Sequence, residues 1–356
     1  MSAPTDVVAL AINTPRRFYR GGERILAFRG IDAPAGHDDH RPEDWLASTT
    51  HLFAEGGGGL SALPDGRTLA DALEEDPSGW LGADHVTAHG TEPGILTKLL
   101  DAGERLPVHS HPDRAFAAAH LDCAHGKTEA WIVLGAEPGA TVWLGFRDDL
   151  TKEALAALVD DQGDGLLAAL NPLRVEAGDA ILVPAGQPHA IGGGVFVLEI
   201  QEPTDLSVML EHARFGLEEA HAFLGLPVER ALESVDTRTL DGEARADLQR
   251  RWVDVRGHGS ALSERADEFF RAEVLASADG AVEGEAGFGV AVCVAGSGIV
   301  TTEHGEAAHR VTRGDVLLTP HAAGRIRVDG GATLIRCRPA AVPTATSTPT
   351  DLPGNT

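Results

Sequence analysis

The sequence predicts a mainly β protein: two β-sandwich (jelly-roll) domains with an inserted and connecting helical segment. Three observations carry that prediction. Apolar runs of strand length, such as 94–102, 130–134 and 195–201, are bounded by Gly, Pro and Asp turn residues. A turn-and-strand unit, Arg174-Val-Glu-Ala-Gly-Asp-Ala-Ile-Leu-Val-Pro184, recurs as Arg310-Val-Thr-Arg-Gly-Asp-Val-Leu-Leu-Thr-Pro320, which implies a repeated fold. Beyond Asp205 the apolar spacing lengthens to a helical one through Leu210, Phe215, Leu217, Ala220 and Phe223, with Pro227 as an interruption. The expected units are a first sandwich at 1–204 that includes the N-terminal strands, and a mostly helical connector at 205–260. A second sandwich at 261–340 and a Pro-, Thr- and Ser-rich disordered tail at 341–356 follow.

Taken in order, residues 1–35 alternate apolar and polar around Gly21-Gly22, which predicts strands joined by hairpins. Glycines 56–59 predict a flexible loop, and Asp65-Gly-Arg67 a turn feeding a short helix. Residues 94–102 form a strand that runs into the sequence Gly103-Glu-Arg-Leu-Pro-Val-His109-Ser-His111. After Asp149 and around Leu166–Leu170, two short helices are expected. In the C-terminal third, the run Phe288–Val294 followed by Gly296-Ser-Gly298 reads as a hairpin ahead of the repeated unit.

Chemistry concentrates between residues 103 and 189. His109 and His111 are one residue apart on a strand, so both imidazoles leave the same face. Glu129 heads the run Ala130-Trp-Ile-Val-Leu134, and His189 closes Gly178-Asp-Ala-Ile-Leu-Val-Pro184-Ala-Gly186-Gln-Pro-His189. Three neutral imidazoles and a carboxylate suit one divalent ion of zinc, iron, nickel or manganese type. Lys127 shares the face of Glu129, and Glu199 shares a face with Val195, Val197 and Gln201 at the end of another strand. His120, His125, His304, His309 and His321 lie outside this pattern and read as surface or packing residues. The repeated half has no His-x-His, so it is expected to be metal-free and structural.

Gly103, His109, His111, Gly178, Pro184, Gly186 and His189 match the cupin signature residue by residue. Glu129 comes later than in a minimal cupin, after an insertion from Arg114 to His125. His111-Pro-Asp, Gly126-Lys-Thr-Glu-Ala-Trp131, Pro138-Gly-Ala140, Leu144-Gly-Phe146 and Pro184-Ala-Gly-Gln-Pro-His189-Ala-Ile-Gly together resemble the type I mannose-6-phosphate isomerase family. The resemblance implies two cupin-type domains and a metal-dependent aldose–ketose isomerase. It implies metal ligands His109, His111, Glu129 and His189, and no organic cofactor. The ion implied is zinc first, with manganese, iron, nickel or cobalt as alternatives. It places Lys127, Glu199 and, as a stand-in for an arginine, Arg214 in the catalytic group. His109 stands where the family usually has glutamine, an exchange that keeps a neutral ligand. Two phosphate-contacting positions also depart: Pro107 stands where a serine is expected and Met209 where an arginine is expected. That puts a phosphorylated substrate in doubt and admits a free sugar such as mannose or fructose. The alternatives are a three-His-one-Glu cupin oxygenase and a non-catalytic sugar-binding cupin.

The formal net charge of −25 excludes a basic nucleic-acid surface. Three cysteines, Cys123, Cys293 and Cys337, are too few and scattered for a disulfide framework, so a reducing cytoplasm is expected. No signal peptide and no membrane-spanning run is expected. The expected partner is a small-molecule sugar or sugar phosphate, with no nucleic acid and no membrane, and a monomer or small homo-oligomer is expected.

Overall fold

The computed structural model describes residues 2–33, 36–52 and 58–342. The predicted glycine loop falls partly, and the predicted tail almost wholly, outside them. The apolar runs form four antiparallel sheets. A six-stranded sheet orders its strands Gln249–Arg251, Asp179–Val183, Glu129–Ala136, Val195–Gln201, Leu96–Ala102 and Glu43–Leu46. Its companion has five: Val208–Met209, His109–Ser110, His189–Ile191, Thr141–Phe146 and Leu170–Arg174.

The repeated unit yields the same plan again. A second six-stranded sheet runs Val8–Ala9, Val316–Thr319, Gly289–Ala295, Thr333–Pro339, Phe270–Ala276 and Gly257–Ser260. A four-stranded sheet of Val282–Gly284, Ile326–Asp329, Ser297–Thr302 and His309–Thr312 accompanies it. Side-chain alternation sorts this six-stranded sheet into two faces. Val290, Val292, Leu318, Ile335 and Cys337 enter the core that also holds Leu99, Phe196 and Ile200 of the first half. Ala291, Cys293, Leu317 and Leu334 instead pack on Val300, Ile326 and Val328 in a separate core.

Residues 1–35 depart from the expected hairpins. They hold one short strand, Val8–Ala9, which pairs with Leu317 and Leu318 of the C-terminal sheet, and one helix, Glu23–Phe28. The Gly-Gly pair makes a helix start instead of a hairpin turn. Gly22 adopts φ 104°, and the backbone N–H groups of Gly22 and Arg24 donate to Asp101 Oδ2 at 2.9 and 3.0 Å. Those donors are otherwise orphaned at a helix N-terminus. The helix then buries Ile25, Leu26 and Phe28.

Other helices follow the expectation. Leu69–Glu75 is started by a reciprocal Thr68–Asp71 capping box, and Lys152–Asp161 by Thr151. The helical spacing beyond Asp205 produces only short turns at Glu219–Ala222, Val228–Ala231 and Gly242–Asp247, interleaved with three short strands. Gly216, Gly225 and Pro227 punctuate the segment too often for a longer helix to propagate. Among the described residues, no helix is long and apolar enough to cross a membrane.

Candidate metal centre

Two loops and one strand pair bring the histidines together. His109 lies directly opposite His189 across neighbouring strands, and the ring centres are 4.1 Å apart. His111 follows one strand position later, its ring 4.8 Å from that of His189. The Pro-x-Gly turn is tied to this pair, because the Gly186 N–H donates to the His111 carbonyl at 2.7 Å. Gly186 adopts φ 87°, a conformation that favours glycine and lets the chain reverse into His189. The ligand atoms of the three histidines lie within 4.8 Å of one another.

Each imidazole is oriented by its other nitrogen. Nδ1 of His109, His111 and His189 sits 2.8, 2.9 and 2.8 Å from the carbonyls of Pro107, Leu206 and Gln187. A carbonyl accepts only, so each Nδ1 carries the proton and each Nε2 turns a lone pair inward. Burial holds all three rings below the usual histidine range, His111 at about 3, with the nearby Lys127 ammonium acting in the same direction.

Glu129 opens its strand beside them. Its carboxylate is 3.1 Å from His111 Nε2 and 3.4 Å from His189 Nε2, and it accepts from Trp131 Nε1 at 2.9 Å. Burial pushes this carboxyl up, but Lys127 and His111 outweigh it and hold it well below the usual range. His189 Nε2 and Glu129 Oε2 are buried without an aligned hydrogen bond. Buried lone pairs left without donors are costly, whereas a cation at their meeting point satisfies them together. Three imidazole nitrogens and one carboxylate therefore fit a divalent ion of borderline softness.

Lys127 enters the same cavity, 3.1 Å from both Glu129 Oε2 and His111 Nε2. Gly126 permits its approach: a Cβ there would lie 2.7 Å from the Arg114 nitrogen, where the insertion passes close by. The Lys127 N–H donates to the Pro112 carbonyl at 3.0 Å and fixes the turn.

Glu199 is also buried at this cavity, and Lys98 Nζ lies 3.4 Å from it. Burial and the Glu129 charge push the Glu199 carboxyl up to about 7, with Lys98 and Lys127 pulling the other way. Arg214 is not brought to the site. It lies half-exposed over Asp164 at 3.1 Å and is absent from the cavity wall.

The structure adds charged residues that sequence reasoning did not single out. Arg17 reaches Asp205 at 3.0 Å and Glu43 at 3.2 Å, and Lys98 reaches Glu43 at 3.7 Å. Tyr19 donates to Glu43 at 2.5 Å. A local signal existed for Lys98 alone, a charge inside the apolar run Leu96-Thr-Lys-Leu-Leu100. Pro107, Ser207 and Met209 complete the wall.

No family model matches the chain. It is 27% identical to the mannose-6-phosphate isomerase of Streptococcus mutans, with 88% of this chain and 93% of that protein covered. The fold superposes on the mannose 6-phosphate isomerase of Bacillus subtilis with a TM-score of 0.73 at 20% identity, covering 94% of this chain and 99% of the other. A mannose 6-phosphate isomerase structure bound with zinc and yttrium aligns with a TM-score of 0.69 at 14% identity, covering 94% of this chain and all of that one. In sequence along most of its length, and in fold, the chain is similar to mannose-6-phosphate isomerases.

Proposed function

We propose that the protein is a metal-dependent aldose–ketose isomerase, acting on mannose and fructose or their 6-phosphates. The observation that carries this reading is the convergence of three inward-facing imidazole lone pairs and the Glu129 carboxylate on a cavity that also holds Lys127 and Glu199. His109, His111, Glu129 and His189 would hold the ion, zinc first; a solved mannose 6-phosphate isomerase of the same fold is bound with zinc and yttrium. A divalent ion so held supplies Lewis acidity that stabilises negative charge on adjacent sugar oxygens.

The chain's own residues do the rest. Glu199 is buried beside the ligands and accepts and returns the proton that moves between the two carbons. Lys98, 3.4 Å from it, restrains the carboxylate and offsets its charge once the proton has left. Lys127 donates to a substrate oxygen from the edge of the ligand set. The apolar side chains of Leu100, Leu106, Pro107, Ile191 and Met209 in the cavity wall limit water at the reacting carbons.

The charge of the wall bears on the substrate. Its cations, Arg17, Lys98 and Lys127, each face carboxylates at 3.0–3.4 Å. A phosphate dianion would have to compete with those carboxylates, and Pro107 and Met209 offer it no donor. Phosphate selectivity is therefore weak, and a free aldose is the better substrate. The test is turnover of mannose and mannose 6-phosphate by chelated protein restored with zinc, manganese, iron, nickel or cobalt. Turnover restored by one of these metals is the expected result. A kcat/KM ratio of phosphorylated to free sugar near or below one supports the substrate reading, and a ratio far above one refutes it. No isomerisation of either sugar with any metal refutes the activity itself.

A further inference from the structure

Apart from one edge strand, the two six-stranded sheets share one strand order, so the floor of the metal site has a counterpart in the C-terminal half. Glu129 pairs with Val183, and Gly289 pairs with Thr319, a match that the repeated Gly-Asp unit also enforces. Across the next strand, Glu199 pairs with Trp131 and Lys98, whereas Arg336 pairs with Ala291 and Glu273. The Lys98–Glu199 pair thus returns with its charges exchanged. Two residues along the same strands, Gln201 beside Leu96 becomes Arg338 beside Arg271. The carboxylate position has become Gly289, where a Cβ would lie 2.8 Å from Arg336 Nε. A guanidinium occupies the space that a metal-binding carboxylate takes in the first half.

Arg271 and Arg338 converge at a cavity of about 430 Å³, which they line together with His85, Glu285, Phe288 and His321. Arg336 is fully buried behind it and donates to Thr319 Oγ1 and to the carbonyls of Glu285 and Gly287. Arg338 is 5% exposed; it donates to Glu273 Oε1 and the Ala286 carbonyl at 2.8 Å each, and its Nε is buried without a partner. Arg271 is half-buried and gives its Nε to the Pro339 carbonyl at 3.1 Å. Among the described residues its terminal nitrogens make no hydrogen bond or ion pair. Burial lowers the affinity of Arg336 and Arg271 for their protons, and the charge of Arg338 adds to the effect in both. Glu273 lies between the buried pair, 3.6 Å from Arg336 and bonded to Arg338. Arg271 feels Glu273, Glu285 and Asp267 only through space, an attraction that burial and the Arg338 charge outweigh. An anion placed against Arg271 and Arg338 would relieve that repulsion and use the idle donors. In the first cavity, by contrast, every lining cation makes an ion pair, whereas Arg271 makes none among the described residues.

We propose that the C-terminal cavity is a binding site for a phosphate-class oxyanion, held by the guanidinium groups of Arg271 and Arg338 where the repeat has lost its metal ligands. The planar fork of arginine matches two phosphate oxygens at once, and two such forks suit a dianion. The site is independent of the isomerase reading, because it shares no residue with the first cavity.

Calorimetric titration of the metal-loaded full chain tests the site, with inorganic phosphate and with glycerol 3-phosphate, which is not an aldose. The expected result is saturable one-site binding, weakened about tenfold or more by Arg271→Gln and retained in Glu129→Gln. Arg271 is the deciding position because Arg338 also ties down Glu273 and the Ala286 carbonyl. Arg271→Glu, with its reversed charge, must abolish binding while the thermal midpoint and sugar turnover stay at wild-type values. Tighter binding of the inorganic ion identifies free phosphate as the ligand, and tighter binding of the ester identifies a phosphomonoester; either supports the site. Absence of saturable binding, binding indifferent to Arg271→Gln, or binding lost in Glu129→Gln would each overturn it.

Discussion

At the residue scale, the site depends on side chains that are useful only because a second contact restrains them. The three Nδ1–carbonyl contacts fix which nitrogen of each imidazole faces inward. Purified protein is expected to carry close to one divalent ion per chain. His111→Ala or His189→Ala leaves an incomplete shell, so elemental analysis of either variant should show that ion lost. Glu199→Gln keeps the shape and the metal but cannot take a proton, so turnover should fall roughly 10²–10⁴-fold at unchanged metal content. Glu43 makes a different prediction, about acid. Burial pushes its carboxyl up, yet Arg17, Lys98 and hydrogen bonds from Tyr19 and Trp45 hold it at about 2, against 4.5 for a free glutamate. A depressed carboxylate stabilises the fold above pH 4.5 and loses that contribution as pH falls towards 2, a change on the order of 3 kcal/mol. In chelated protein, stability followed by circular dichroism should fall with pH across that window, and Glu43→Gln should flatten the slope there.

The proposed ligands were legible in the sequence because their spacing is local: one strand face holds His109 and His111, and one turn delivers His189. The charged wall was not, because Arg17, Glu43, Lys98 and Asp205 meet only after distant segments fold together. Arg214 shows the converse error. A correspondence drawn along the chain could not tell that the segment after Met209 turns its guanidinium outward to Asp164.

At the element scale, the helix Glu23–Phe28 shows why a Gly-Gly pair is ambiguous in sequence: the same conformational freedom serves a hairpin or a helix start. The choice is made by Asp101, a residue far along the chain that accepts from the helix's first N–H groups. The far end of this helix meets the repeated Gly-Asp turn of the C-terminal half. Gly314 adopts φ 101°, and a Cβ there would lie 1.8 Å from the Phe28 carbonyl oxygen. Gly314→Ala should therefore cost more than backbone strain alone, which is about 1–3 kcal/mol. Gly280 is the control, since it adopts φ 141° with nothing within 4 Å of its Cβ position. Denaturant midpoints of the two alanine variants should differ, with Gly314→Ala the lower.

At the scale of the whole molecule, the repeat made two similar sandwiches legible, but not the way they share a core. One face of the C-terminal six-stranded sheet packs with Leu99, Phe196 and Ile200 of the first half, so neither half buries its apolar surface alone. Thermal unfolding should follow one transition. All five tryptophans, at 45, 80, 131, 143 and 252, precede the C-terminal sandwich in sequence, and Trp80, Trp131 and Trp252 sit in the shared core. Fluorescence therefore reports on the first half and that core, while far-ultraviolet circular dichroism reports on the strands of both halves. The two melting curves should coincide; a separate, later or earlier, dichroism transition would show that the halves unfold independently.

The pairing of Val8–Ala9 with Leu317 and Leu318 has a further consequence, for biosynthesis. The strand that completes the C-terminal six-stranded sheet is made long before its partner, because most of the chain lies between them. The nascent first sandwich must carry this strand unpaired, and the Val316–Thr319 strand keeps an open edge until the two ends meet. A contact between such distant positions imposes a large loop-closure entropy and slows the final step of folding. Docking of the N-terminal segment is thus the event that closes the molecule, and the nascent chain stays open to edge-to-edge association until it occurs.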